Sequence, residues 1–142
     1  MGYYVTLIDS NFTIPADKLD EATRLLKALN HQPGIEKRGG SYSGGKQTAS
    51  WFSWMSENYD QELHTAREIF AELGFDVLGG GENSSDLTLD SYDNKMGQED
   101  LFIDAVSHLA NEDWYLEWRG EDGTYWRQSA AGTQSGRVVY DN

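Results

Sequence analysis

The sequence predicts an α+β fold: a single, mostly antiparallel sheet, about three helices packed largely on one of its faces, and a C-terminal β-hairpin or meander. Three observations predict it. Apolar residues recur at helical spacing in two stretches, Leu19/Ala22/Leu25/Leu26/Leu29 and Leu63/Ala66/Ile69/Phe70/Leu73, so each stretch makes a one-sided helix. Short runs rich in aromatic and β-branched residues lie between Gly-, Asn- and Asp-rich breaks, as strands do. Asp122-Gly123 separates two such runs, which is a strong hairpin signal. The 142 residues suit one domain, 1–142. A chain of this size buries about two thirds of its unfolded surface and needs no staple to fold.

In chain order, Tyr3 to Ile8 reads as a strand. Pro15 suits the first turn of the first helix, and Asn30 with Pro33-Gly34 ends it. Residues 34–49 are expected to be a flexible Gly-rich loop, either a plain connection or a mobile binding loop. It is no phosphate-binding P-loop, because Gly45-Lys46 is followed by Gln47 instead of Ser or Thr. Ala49 to Met55 reads as a strand. Asp60 is positioned to cap the second helix and Gly74 stops it. The two helices match at a fixed offset, a spacing that any pair of amphipathic helices would also produce. Phe75 to Leu78 and Leu87 to Leu89 form an expected hairpin on either side of Gly79-Gly80-Gly81-Glu82-Asn83, and Tyr92 to Gly97 is turn-like. A third helix is expected from Gln98 to Leu109, with Glu99 and Asp100 at its positive end. Trp114–Arg119 and Thr124–Gln128 are the arms of the hairpin, and Gly132–Gly136 is a looser turn before Arg137-Val138-Val139-Tyr140.

Composition narrows the function classes. There is no cysteine, which excludes a disulfide framework, a thiolate zinc site and a Cys nucleophile. No apolar run approaches the ~20 residues of a membrane span. The opening Met1-Gly2-Tyr3-Tyr4-Val5 lacks a basic n-region, so no signal peptide is expected and a cytoplasmic location is. The net charge is -13. Residues 1–46 are nearly balanced. From Glu57 to Asp122, however, 18 acids face only Arg67, Lys95 and Arg119. Such a surface repels nucleic acid and anionic membranes at long range, so neither is expected as a direct partner.

Residues that could carry chemistry are scattered. His31, His64 and His108 form no HxxxH or HxH pair, although His64/Glu68 and His108/Glu112 have i,i+4 spacing. The acids from Asp86 to Asp100 fail the calcium-loop pattern, which needs Gly at its sixth position and Glu at its twelfth. Glu117 and Glu121 beside tryptophans have a sugar-site composition, but a chain with 24 acids contains such pairs by chance. No hydrolase, zincin or kinase motif is present. No catalytic residue, metal or cofactor is therefore expected. Trp114 and Trp118 share a strand face, Trp126 is placed to pair with Trp118 across the hairpin, and at most one of Trp51 and Trp54 belongs in the core.

The segments Tyr92-Asp-Asn-Lys-Met-Gly-Gln-Glu-Asp-Leu-Phe and Tyr115-Leu-Glu-Trp-Arg-Gly-Glu-Asp-Gly-Thr-Tyr-Trp-Arg resemble small acidic proteins of actinobacterial phages and mobile elements. The similarity covers mainly residues 92–140. It carries no activity or catalytic residue across. It implies a small accessory protein in the host cytoplasm that acts on a host factor.

Charge and resemblance together suggest a non-enzymatic binding protein that inhibits a host nucleic-acid-handling factor. It would do so as a DNA mimic of the anti-CRISPR or anti-restriction type, laying phosphate-like carboxylates on a basic protein surface. The candidate contact residues are Asp90, Asp93, Glu99, Asp100 and Asp104, with Glu117, Glu121 and Asp122 on the hairpin. For each, the plainer reading is a solvated acid that keeps the protein soluble. The alternatives are a small enzyme or ligand-binding domain with a pocket between the sheet and the Gly-rich loops, and a homo-oligomeric accessory subunit.

Overall fold

The computed structural model describes residues 2–81 and 85–137, with side chains as far as Gln134. The fold is α+β, with a mostly antiparallel sheet of seven strands, about four helices, and a C-terminal meander. Its central strands are β1 (Tyr4–Ser10), β6 (Leu87–Lys95) and β7 (Tyr115–Gly120). β2 (Thr13–Ile14) continues β1 along one side of β6, and β5 (Phe75–Leu78) pairs along its other side. β8 (Thr124–Ser129) and β9 (Gly132–Arg137) extend the sheet beyond β7. Every pairing is antiparallel.

Alternation decides which face is covered. In β1, Val5 and Leu7 are buried while Tyr4 is exposed and Thr6 and Ile8 are half-buried; in β7, Leu116 and Trp118 are buried and Arg119 is exposed. The buried row meets α1 (Leu19–Ala28), α3 (Ala66–Leu73) and α4 (Glu99–Val106), whose own apolar stripes complete one core. One ring cluster joins Phe52, Tyr59 and Phe102. A second runs from Phe70 through Phe75 and Tyr92 to Trp118, and Trp126 stacks on Trp118 with planes 12° apart. The expected cross-hairpin tryptophan pair is thus present, and Trp118↔Trp126 is its register.

Several expectations are corrected. Residues 34–49 are not one loop: Gly39–Ser43 (β3) and Lys46–Trp51 (β4) form a separate hairpin. Gly44 and Gly45 both take positive φ at its turn, the backbone that a tight two-residue hairpin requires. The strand expected to reach Met55 ends at Trp51, because Phe52 to Met55 is a turn closed by the Met55 N–H donating to the Phe52 carbonyl. The second helix is split into α2 (Tyr59–Glu62) and α3, and Leu63 between them is extended. Asp60 caps neither. Thr65 caps α3, with Glu68 completing a reciprocal capping box. Tyr92 to Lys95 continues β6 instead of turning, since Tyr92 is a core residue and Asp93, Asn94 and Lys95 pair with β1. Gly132–Gly136 belongs to β9, with the turn one step earlier. Of the following segment, Val138 to Tyr140 lies outside the described residues, as do Glu82 and Asn83 of the Gly-rich connection.

Candidate partner-binding site

One end of the sheet gathers features that the linear sequence keeps far apart. There the N-terminal end of β1 lies beside the C-terminal ends of β6 and β7, because all three are antiparallel neighbours. Tyr4 pairs with Lys95, and the Met96 N–H donates to the Tyr3 carbonyl. The Trp54 indole reaches the same place, donating from Nε1 to the Lys95 carbonyl at 3.2 Å and lying against Gly97. Three large apolar side chains that remain exposed, Tyr4 at 47%, Trp54 at 42% and Met96 at 39%, therefore lie in or beside the segment Lys95–Gly97.

Trp54 sits there in an unusual backbone state. Its φ is 73°, and it is the one non-glycine residue with positive φ among the described residues. It occupies the third position of the Phe52–Met55 turn, where positive φ favours glycine. A side chain there costs about 1–2 kcal/mol. The indole contact with Lys95 and Gly97 offsets part of that cost, yet much of the ring still faces water.

Carboxylates rim this end. Glu121 Oε1 accepts from the Tyr4 N–H, which ties the β7–β8 turn to β1. Asp122 accepts from the Tyr3 hydroxyl and from the Thr124 N–H, and these bonds hold its carboxyl below the usual range. Asp93 is exposed opposite Thr6. On the far side a cavity of about 450 Å³ opens between Met96-Gly97, the start of α4 and the chain before β3. Glu36, Arg38 and Asp100 stand at its edge. Its wall is held by Gln98: its buried Oε1 accepts from the Arg38 and Ser53 N–H groups, while its Nε2 donates to the Glu36 carbonyl.

The eight acids singled out from sequence separate into three groups. Asp93, Asp100, Glu121 and Asp122 gather at this end. Asp104 lies one helical turn beyond Asp100, Asp90 is exposed farther along β6, and Glu117 is on the open sheet face paired with Arg127 at 2.8 Å. Glu99 departs from the expected surface role. It is 3% exposed, and its Oε2 accepts from the Gly97 N–H at 2.8 Å. Burial raises its pKa, and the backbone N–H bonds and Arg38 pull it back only in part. Its carboxylate thus faces the backbone just before α4 and not the solvent. Sequence reasoning leaves one of Trp51 and Trp54 outside the core but names neither Tyr4 nor Met96, since strand pairing and the Phe52–Met55 turn bring the three to one place.

The i,i+4 histidine pairs do not form helix-face pairs. His64 precedes α3, where its N–H donates to Glu68, and His108 lies in a short 3-10 turn that ends before Glu112. His31 instead meets Asp60 at 2.6 Å. Among the described residues no three His, Asp or Glu side chains converge as metal ligands, and no helix is long and apolar enough to cross a membrane.

Comparison with protein-family models, curated proteins and solved structures finds no match. The chemistry of the site is therefore read from its own residues: exposed apolar side chains beside carboxylates that hydrogen bonds hold in place.

Proposed function

We propose that this chain is a non-enzymatic binding protein that inhibits a host nucleic-acid-handling factor by occupying its basic surface. It would act as a phage or mobile-element accessory protein. The observation that carries the reading is the convergence of exposed Tyr4, Trp54 and Met96 at a sheet end rimmed by Asp93, Asp100, Glu121 and Asp122. Aromatic anchors slow release from a partner, and a field of one sign speeds encounter with the opposite one. Among the described residues three ion pairs occur, one of them with a histidine, and within the site Lys95 Nζ lies 5.9 Å from the centre of the Tyr4 ring, a cation among the four carboxylates. The carboxylates stand on a strand, a helix and a tight turn, so little ordering is needed when they meet a cationic groove.

The test is capture from host lysate at low and high salt, with Trp54→Gly beside the natural chain. Glycine prefers the backbone at position 54, so this variant keeps the fold while removing an anchor. Nucleic-acid-handling proteins are expected on the natural chain at low salt, fewer at high salt, and fewer on Trp54→Gly. Capture of no basic partner at either salt overturns the reading.

A further inference from the structure

We infer that a groove along α4, opening beside Met96 and running away from the sheet end, seats an extended segment of the partner with basic residues at alternate positions. The inference rests on the proposed function and assigns a second contact to it. Two cavities make the groove. The one of about 450 Å³ beside Met96 and a second of about 270 Å³ beside Leu29 share Ile35 and Leu101 as lining. They therefore form one channel between the exposed flank of α4 and the chain from Gln32 to Arg38. Its floor is apolar, from Ile35, Leu101 and Ala105.

Charge identifies the occupant. Asp100 and Asp104 stand on the α4 wall and Glu36 on the facing loop, against Arg38 alone. Lys37, the neighbouring cation, is turned away: its Nζ donates to the carbonyl and side-chain oxygen of Asn30 and lies 5.2 Å from the centre of the Phe52 ring. Asp100 is held in place from the sheet side. Its Oδ1 accepts from Gln128 Nε2 at 2.9 Å, and Gln128 Oε1 accepts in turn from the buried Trp118 Nε1 at 2.8 Å. Asp104 has no such support. Burial, then the charge of Asp100, raises its pKa.

Spacing selects the form of the segment. Asp100 and Asp104 are separated by about 6 Å of helix rise. Two residues of an extended chain span about 6.6 Å. Lysines or arginines at alternate positions therefore reach both carboxylates, while their aliphatic stems and the apolar neighbours lie on Leu101 and Ile35.

The test is titration of the isotope-labelled full chain with a short synthetic peptide alternating lysine and valine, followed by backbone NMR shifts, with a glutamate–valine peptide as control. The lysine peptide should move Ile35, Leu101, Asp104 and Ala105, and the glutamate peptide should move none. Asp100→Asn keeps the oxygen that Gln128 needs, so Asp100→Asn and Asp104→Asn preserve the fold. Each should weaken binding several-fold, and the pair about tenfold. Shifts confined to Tyr4 and Trp54 overturn the groove but leave the proposed function standing. No shift with either peptide also overturns the groove, and the lysate capture then judges the function on its own. Concentration-dependent shifts of the same groove residues without peptide overturn it in favour of a second copy of this chain.

Discussion

At the scale of single residues, two side chains occupy positions that their type disfavours. Trp54 holds a glycine-like backbone, and Glu99 is a carboxylate in the core. Glu99 permits a pH prediction with a definite sign. Its folded pKa is raised, so the folded state holds its proton more tightly than the unfolded chain. Ionisation of Glu99 consequently lowers stability as pH rises through the window above its ordinary value. Glu99→Gln, which still offers an oxygen to the Gly97 N–H, should be more stable than the natural chain at pH 7. The advantage should vanish below the usual carboxylate range, where Glu99 is protonated in both states; thermal melts across pH read this out. Gln128 makes the opposite kind of contribution, satisfying the buried Trp118 indole. Gln128→Leu leaves that N–H unpaired and should cost about 1–3 kcal/mol by urea titration. None of these roles was legible in the sequence. Nothing local distinguishes Glu99 from the other acids, and the partner of Trp118 is chosen by strand register.

At the scale of elements, legibility followed the locality of the signal. The α1 stripe, the β5 strand and the Asp122-Gly123 hairpin are set by residues within a few positions of one another, and the structure has them close to where they were expected. The second helix was misread because its periodic stripe runs through Leu63, where the chain is extended. The capping box that restarts it, Thr65 with Glu68, is itself a sequence signal and could have been found. Thr65→Ala should destabilise α3 by about 1 kcal/mol, measured as faster amide exchange in Ala66–Leu73 together with a lower denaturant midpoint. The β3–β4 hairpin was hidden by its composition. Gly39-Gly40 and Gly44-Gly45 read as a loop, yet the second pair supplies the left-handed turn and the first makes room for β4 side chains: a Cβ at Gly39 would overlap the Trp51 indole. Gly39→Val should therefore detach β4 from β3, seen as loss of amide protection confined to Lys46–Trp51.

At the scale of the whole molecule, the charge of -13 acts on stability as well as on partners. Self-repulsion among so many acids, with three ion pairs among the described residues, disfavours the compact state, and salt screens it. The melting temperature should rise with added sodium chloride at neutral pH, whereas capture of a basic partner should fall. A molecule stabilised mainly by surface ion pairs would lose stability instead, and calorimetry at two salt concentrations separates the cases. The core is the opposing term. Phe102 is fully buried between Phe52 and Tyr59, so Phe102→Ala should cost about 3–5 kcal/mol.

By itself the sequence determined the α+β class, the amphipathic helices, the C-terminal hairpin with its tryptophan pair, and the concentration of acid beyond residue 57. Those properties depend on composition and on spacings of a few residues, which the chain carries wherever it folds. Tertiary structure alone decided which acids share a surface, that Glu99 leaves it, and that Tyr4, Trp54 and Met96 meet around Lys95. Antiparallel pairing joins positions some 90 residues apart, Tyr4 to Lys95 among them, and no local pattern encodes which strand will lie beside which.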